Sequence, residues 1–289
     1  MLLTSINTGK EYNVEGPIYS NELSNIWCGK TKTSENKELF VKILNYGKIE
    51  DSKVANSLLE VSKEEAKTLE KVSKCTKRTP RVFDSWDNRK EKQFVIVMDM
   101  VPGCSLRQWM NKHNKETLTG KDVFVRKCII IQICEIMRDI NRKYSSFVHR
   151  DLKPENIFIN FNAKTKRWDV YIIDFGCANL NHIRNVGTTN YQAPEQLGQK
   201  AFSVSITNRT DIFAIGQIFY EMLFGYAPRI GFEYQYRARE NKWCQIPQPP
   251  EYLMGITGMD KLLALIEKMT SLDLRERPGY ETIIPRLKN

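Results

Sequence analysis

The segment from Val123 to Tyr144, VFVRKCIIIQICEIMRDINRKY, limits the possible folds more than any other. Its apolar residues cover most of a helical circumference, so such a helix needs protein on nearly every side and belongs inside a domain. Crossing a bilayer is a different matter. Arg126, Lys127, Glu135 and Arg138 interrupt the apolar stretch, and no part of the chain approaches the roughly 20 apolar residues a span requires. A chain of 289 residues can bury the large core that this helix demands, in one large domain or two small ones.

What precedes this helix has another character. IWCGKT and KELFVKIL are short apolar runs joined by polar residues, as in a hairpin. SLLEVSKEEAKTLEKV places Leu59, Ala66, Leu69 and Val72 at helical spacing. PRVFDSW and QFVIVMDM again read as strands, with DNRKEK turning between them. After the long helix, IFIN and VYIIDF look like two short strands around a polar turn, and the remainder reads as helix and loop. A strand-rich part with one helix therefore precedes a helix-rich part. This is an α+β chain with its boundary near Val101–Gly103.

Composition narrows the function classes. Seven scattered cysteines without zinc-ligand spacing point to a reduced, intracellular (cytoplasmic) protein. The start, MLLTSINTGKEYN, lacks the basic and apolar regions of a secretory signal. A net charge of +10 is compatible with acidic substrates, nucleic acid or anionic membrane. No basic tract is interleaved with aromatics, so nucleic acid is not an expected partner.

Three segments carry chemistry: HRDLKPEN at His149–Asn156, DFG at Asp174–Gly176 and APE at Ala193–Glu195. Their order and spacing resemble the eukaryotic-type serine/threonine protein kinase family, from about Gly16 to Arg277. The resemblance implies a two-lobed protein-kinase-like fold filling residues 1–289 as one domain. The small lobe would take about 1–100, the hinge 99–103 and the larger helical lobe about 104–289. It also implies ATP and Mg²⁺ as cofactors, and Ser/Thr hydroxyls of proteins as acceptors.

At matching positions, Asp151 would accept the proton of the attacking hydroxyl, and Lys153 would neutralise the transferring phosphate. A lysine two residues after the aspartate resembles the serine/threonine branch. Asn156 and Asp174 would hold Mg²⁺ through hard oxygen donors. Lys42 would contact the α- and β-phosphates. It should lie near Asp174 and pair with Glu65, or failing that Glu64. The adenine would meet Ile26, Phe40, Met98 as gatekeeper, the backbone of Asp99 and Val101, and Phe158. Glu195 would pair with Arg277, and Asp211 would prop the catalytic loop through its backbone. Phe213 stands where tryptophan is usual. His149, Phe175, Leu69 and Val82 would form an apolar spine.

The chain departs from the family in three places. If Ile26 takes the valine position of the glycine-rich loop, Tyr19, Asn21 and Ser24 occupy glycine positions, so the lid over ATP should be weakened or reshaped. Phe40 replaces a small residue and would narrow the adenine slot. Between Gly176 and Gly187 there is no Ser, Thr or Tyr, although Arg150 is present to receive a phosphate. Activity is therefore expected without phosphorylation of residues 177–186, and Thr188 is expected to contact the catalytic loop.

No regulatory tail follows Arg277, so control would come from a partner or be absent. Cys177 beside the DFG run reads as a small buried hydrophobe rather than a reactive thiol. Two other classes were weighed: a pseudokinase scaffold, favoured by the poor lid and Phe40, and a small-molecule kinase of related fold. The intact Lys42, Glu65, Asp151, Lys153, Asn156 and Asp174 argue against the first, and HRDLKPEN with APE against the second.

Overall fold

The computed structural model describes residues 1–21, 26–33, 36–113, 117–178, 187–188, 190–197, 205–227 and 251–289. The chain divides into two compact units. The first comprises Met1–Val101 with Asp174–Gly176, and the second Pro102–Ile173 with Cys177–Asn289.

The first unit is built on five antiparallel strands in the order β3-β4-β5-β7-β6. They are β3 (Glu15–Asn21), β4 (Ile26–Lys32), β5 (Glu38–Asn45), β6 (Val82–Asn88) and β7 (Gln93–Asp99). The two-residue strand period turns Leu39, Val41 and Ile43 to one face, where they pack with Trp86, Val95 and Val97. A hairpin of β1 (Leu2–Thr4) and β2 (Glu11–Asn13) lays Leu3, Tyr12 and nearby Val14 on the same cluster. Tyr12 stacks on Trp86 at 5.8 Å and donates to Asp84 Oδ2 at 3.1 Å. The N-terminal stretch is thus a folded part of the core.

Helix α1 (Ser52–Val72) starts five residues before the apolar spacing indicated. Its N-cap, Asp51, accepts from the N–H groups of Lys53 and Val54.

In the second unit the long apolar segment forms α3 (Gly120–Lys143), capped by a reciprocal Thr119–Asp122 box. It packs against α4 (Asn208–Phe224), α7 (Tyr280–Lys288) and strand β10 (Arg167–Ile172). Arg126, which interrupts the apolar run, is itself buried, and its guanidinium donates to the carbonyls of Met222, His113 and Asp122. Every residue of α4 from Thr210 to Leu223 is buried, and the helix stops at Gly225 with φ +79°. A three-stranded sheet, β10-β9-β8, includes β8 (Cys104–Ser105) and β9 (Ile157–Asn162). The unit also contains α2 (Leu106–His113), α5 (Glu251–Met254) and α6 (Met259–Met269).

The expected VYIIDF strand ends at Ile172. Asp174 adopts φ +60°, a left-handed backbone that an extended strand cannot continue through, and residues 174–176 belong to the first unit. A strand-rich unit and a helical unit make the chain α+β, as its sequence indicated. Among the described residues no helix is long and apolar enough to cross a membrane.

Candidate active site

In the first unit, register decides which side chains meet. Residues directly opposite in antiparallel strands share a face. Ile26 lies opposite Leu44, Cys28 opposite Lys42, and Phe40 opposite Met98. Ile26, Phe40, Lys42 and Met98 therefore line one face, opposite the Leu39–Val41–Ile43 cluster. Met98 is buried, while Ile26 and Phe40 are half-buried.

Helix α1 reaches this face through Glu65, which is one helical turn before the buried Leu69. Lys42 Nζ donates to Glu65 Oε1 at 2.7 Å and Oε2 at 2.8 Å, and Asp174 Oδ1 is 3.9 Å from the same nitrogen. Burial by itself would favour a neutral lysine. The carboxylates of Glu65 and Asp174 outweigh it and hold the ammonium above the ordinary lysine range. Glu64 points outward and pairs with Lys67 at 2.6 Å. Of the two candidate glutamates, only Glu65 meets Lys42.

Asp99 is more committed than its sequence position suggests. Its N–H donates to Arg81 O, and its carboxylate takes Lys37 Nζ at 2.5 Å and the Arg81 N–H at 3.1 Å. Val101 is half-buried at the end of the unit. The backbones of Tyr19 and Asn21 pair with Cys28 and Ile26 without positive φ, so neither needs to be glycine for its own conformation. Ser24 lies outside the described residues.

In the second unit, the loop after α3 brings the catalytic-run residues together. Asp211, buried on α4, accepts the N–H of His149 at 2.8 Å and of Arg150 at 2.9 Å. Gln196 donates to Arg150 O at 2.9 Å. Gly187 passes so close that a Cβ there would meet Arg150 O at 2.6 Å. This scaffold presents Asp151.

Asp151 Oδ1 accepts from the Thr188 hydroxyl at 2.8 Å, and Oδ2 from Lys153 Nζ at 2.8 Å and Asn156 Nδ2 at 3.2 Å. Lys153 also donates to Thr188 Oγ1 at 2.8 Å, and Asn156 Nδ2 to the carbonyl of Asp151 at 2.9 Å. The Asn156 amide nitrogen is thereby committed, and its oxygen is the end turned away from these bonds. Phe158 sits half-buried on β9, opposite Tyr171 and Ser105.

Glu195 and Arg277 form a buried bidentate pair at 2.7 and 3.0 Å, with the Phe213 ring 5.0 Å from the guanidinium carbon. His149, Leu69 and Phe175 are buried within their own units, and Val82 is half-buried. Cys177 is half-buried too. Residues 179–186, the heart of the phosphorylation reading, lie outside the described residues. The sequence left Gln196 unnoticed because nothing local marks a side chain that acts on a loop 46 residues away.

A model of the protein kinase domain family matches residues 27–286. The chain belongs to that family. Membership bears out the kinase resemblance and implies ATP as phosphoryl donor and proteins as substrates. Among similar proteins, the human serine/threonine-protein kinase Nek2 is 28% identical over 216 residues, which is 71% of this chain and 44% of the relative. The probable serine/threonine-protein kinase nek2 of Dictyostelium discoideum is 26% identical over 214 residues, 72% of this chain and 49% of that one. The calcium/calmodulin-dependent protein kinase type 1 of Caenorhabditis elegans is 28% identical over 225 residues, 76% and 58%. The chain spans about half the length of the curated relatives it matches.

Proposed function

We propose that this chain is a serine/threonine protein kinase transferring the γ-phosphoryl group of Mg-ATP to protein hydroxyls. The supporting observation is the cluster in which Asp151 is held by Lys153, Asn156 and Thr188. Phosphoryl transfer depends on position and charge more than on covalent catalysis. Asp151, fixed through the Asp211-braced loop, would orient the acceptor hydroxyl and take its proton as the oxygen attacks the γ-phosphorus. Lys153 would offset charge building on the equatorial oxygens, and Lys42, steadied by Glu65, would grip the α- and β-phosphates.

The donor set suits Mg²⁺: an outward amide oxygen on Asn156 and a carboxylate on the half-exposed Asp174 are both hard ligands. When bound, the metal would bridge and neutralise phosphate oxygens. Ile26, Phe40, Met98, the backbone of Asp99 and Val101, and Phe158 would bound the adenine. Lys153 and the names of the relatives both favour serine and threonine over tyrosine. The thiols of Cys28, Cys104, Cys128 and Cys134 are free, which suits an intracellular setting.

The purified chain with Mg-ATP should phosphorylate itself or a generic acceptor protein. Asp151→Asn should lower the rate by at least about a hundredfold, in the range typical of a lost general base. Equal incorporation by the two proteins would rule the assignment out.

A further inference from the structure

Glu155 lies four residues after Asp151, and the transfer chemistry leaves it unused. By sequence alone, an acidic side chain there points weakly toward basic substrates. The structure puts an arginine of the same chain on it. Arg107, in the first turn of α2, donates from Nε to Glu155 Oε1 at 2.8 Å and from Nη1 to Glu221 Oε1 at 2.5 Å. Its Nη2 donates to the Tyr191 hydroxyl at 2.6 Å, and that hydroxyl donates in turn to Glu221 Oε2 at 2.5 Å. Two carboxylates and a phenol oxygen thus surround one planar guanidinium, the geometry that recognises arginine. Glu221 is buried, so the site is preformed on α4 rather than gathered at the surface. A cavity bordered by Arg107, Met110, Asn111, Glu221 and Met222 adjoins it.

We infer that Arg107 is a built-in occupant of a guanidinium-binding pocket beside the catalytic loop, so that the native kinase does not select basic residues there. This deepens the proposed function and rests on it. A tethered group competes at an effective concentration of about millimolar or more. The arginine of a peptide at micromolar concentration loses that competition. The net charge of +10 acts in the same direction by repelling basic peptides. Arg107 is therefore a specificity-determining residue. Its removal uncovers two carboxylates and a hydroxyl already spaced for an incoming arginine.

The test compares acceptor peptides that differ only in Arg or Ala at single positions before the phosphoacceptor, using the full chain and Arg107→Ala. The native protein should treat each pair within about threefold in kcat/KM. The variant should prefer one arginine peptide by about tenfold or more, the equivalent of about 1.4 kcal/mol. Ethylguanidinium added to the variant should reduce that preference by refilling the pocket.

An arginine-selective native protein, or an unchanged profile in the variant, would overturn the inference. Fluorescence anisotropy of the same peptides on Asp151→Asn proteins, with and without Arg107→Ala, reads selectivity without transfer. Absence of Asp151-dependent activity would defeat the kinase assignment while the anisotropy still decided the role of Arg107. If Arg107→Ala fails to fold, Glu155→Ala serves instead. Its Arg-to-Ala preference ratio should match the native one, because Glu155 is already occupied. A selective loss for arginine peptides would overturn the inference.

Discussion

Each unit contains one buried lysine–glutamate or arginine–glutamate pair, and the two pairs do different work. In the second unit, Arg277 has no solvent exposure and Glu195 has 3%. Every guanidinium nitrogen of Arg277 is engaged, by Glu195, the Ser271 carbonyl or the Arg209 carbonyl, and Thr210 also donates to Glu195. The pair has nothing left to offer a ligand, so its role is to hold the unit together. In the first unit, Glu65 is similarly buried at 4%, but Lys42 keeps 18% exposure and sits 3.9 Å from Asp174, which is 45% exposed. A pair with one partly open end is placed to act on something that arrives. Similar chemistry thus gives a brace in one place and a handle in the other, and the remaining accessibility makes the difference.

The contrast should survive mutation in a particular order. Arg277→Met would strand the Glu195 carboxylate, a change costing about 3–5 kcal/mol. At about 2–4 °C per kcal/mol this lowers Tm by on the order of 10 °C. Protein kept folded in the cold should transfer phosphate at close to the native rate. A Tm near native would remove the distinction.

Lys42→Met should do the opposite. Transfer should fall by about 10²–10³-fold, the scale of one lost electrostatic group. Calorimetry should show a smaller loss of stability than for Arg277→Met. Burial already pushes Glu65 upward, so the carboxyl can take a proton once Lys42 is gone. A larger Tm loss here than at Arg277 would reverse the comparison.

Asp211→Asn is the mildest of the three. An amide can accept from only one of the two loop N–H groups, at a cost of about 1–3 kcal/mol. Burial lifts the Asp211 carboxyl from the usual 3.8 to about 7, against the opposing backbone donors of Arg150 and His149. Between those values the folded protein holds a proton that the unfolded chain has released. The contribution of Asp211 to stability therefore falls as pH rises from about 4 to about 7, then levels off. The native advantage in Tm over the variant should narrow across that window. An advantage that widens with rising pH would show a carboxyl that ionises at an ordinary value.

Several of these features could be read along the chain and several could not. Asp151, Lys153 and Asn156 lie within six residues of one another, so one short loop is enough to make them neighbours. Glu65 could be narrowed to two candidates by helical spacing. The choice then fell to which turn of α1 faced Lys42, a matter of packing against the sheet. The start of α1 was misplaced because its signal is a polar cap, Asp51, outside the apolar pattern. The N-terminal hairpin had no periodic signal long enough to show that Leu3 and Tyr12 would be buried.

Family, α+β class and the residue types available for phosphotransfer were set by the linear order of the chain, because short-range spacing and strand or helix periodicity are local properties. The occupancy of Glu155 was decided by the tertiary fold. Arg107, Glu155, Tyr191 and Glu221 are separated by 48 to 114 residues from the arginine outward, and they meet because α2, α4 and two loops pack in one place. Whether a charge is a brace, a handle or already spent depends on what solvent and which partners reach it, and that geometry exists only once distant segments have folded together.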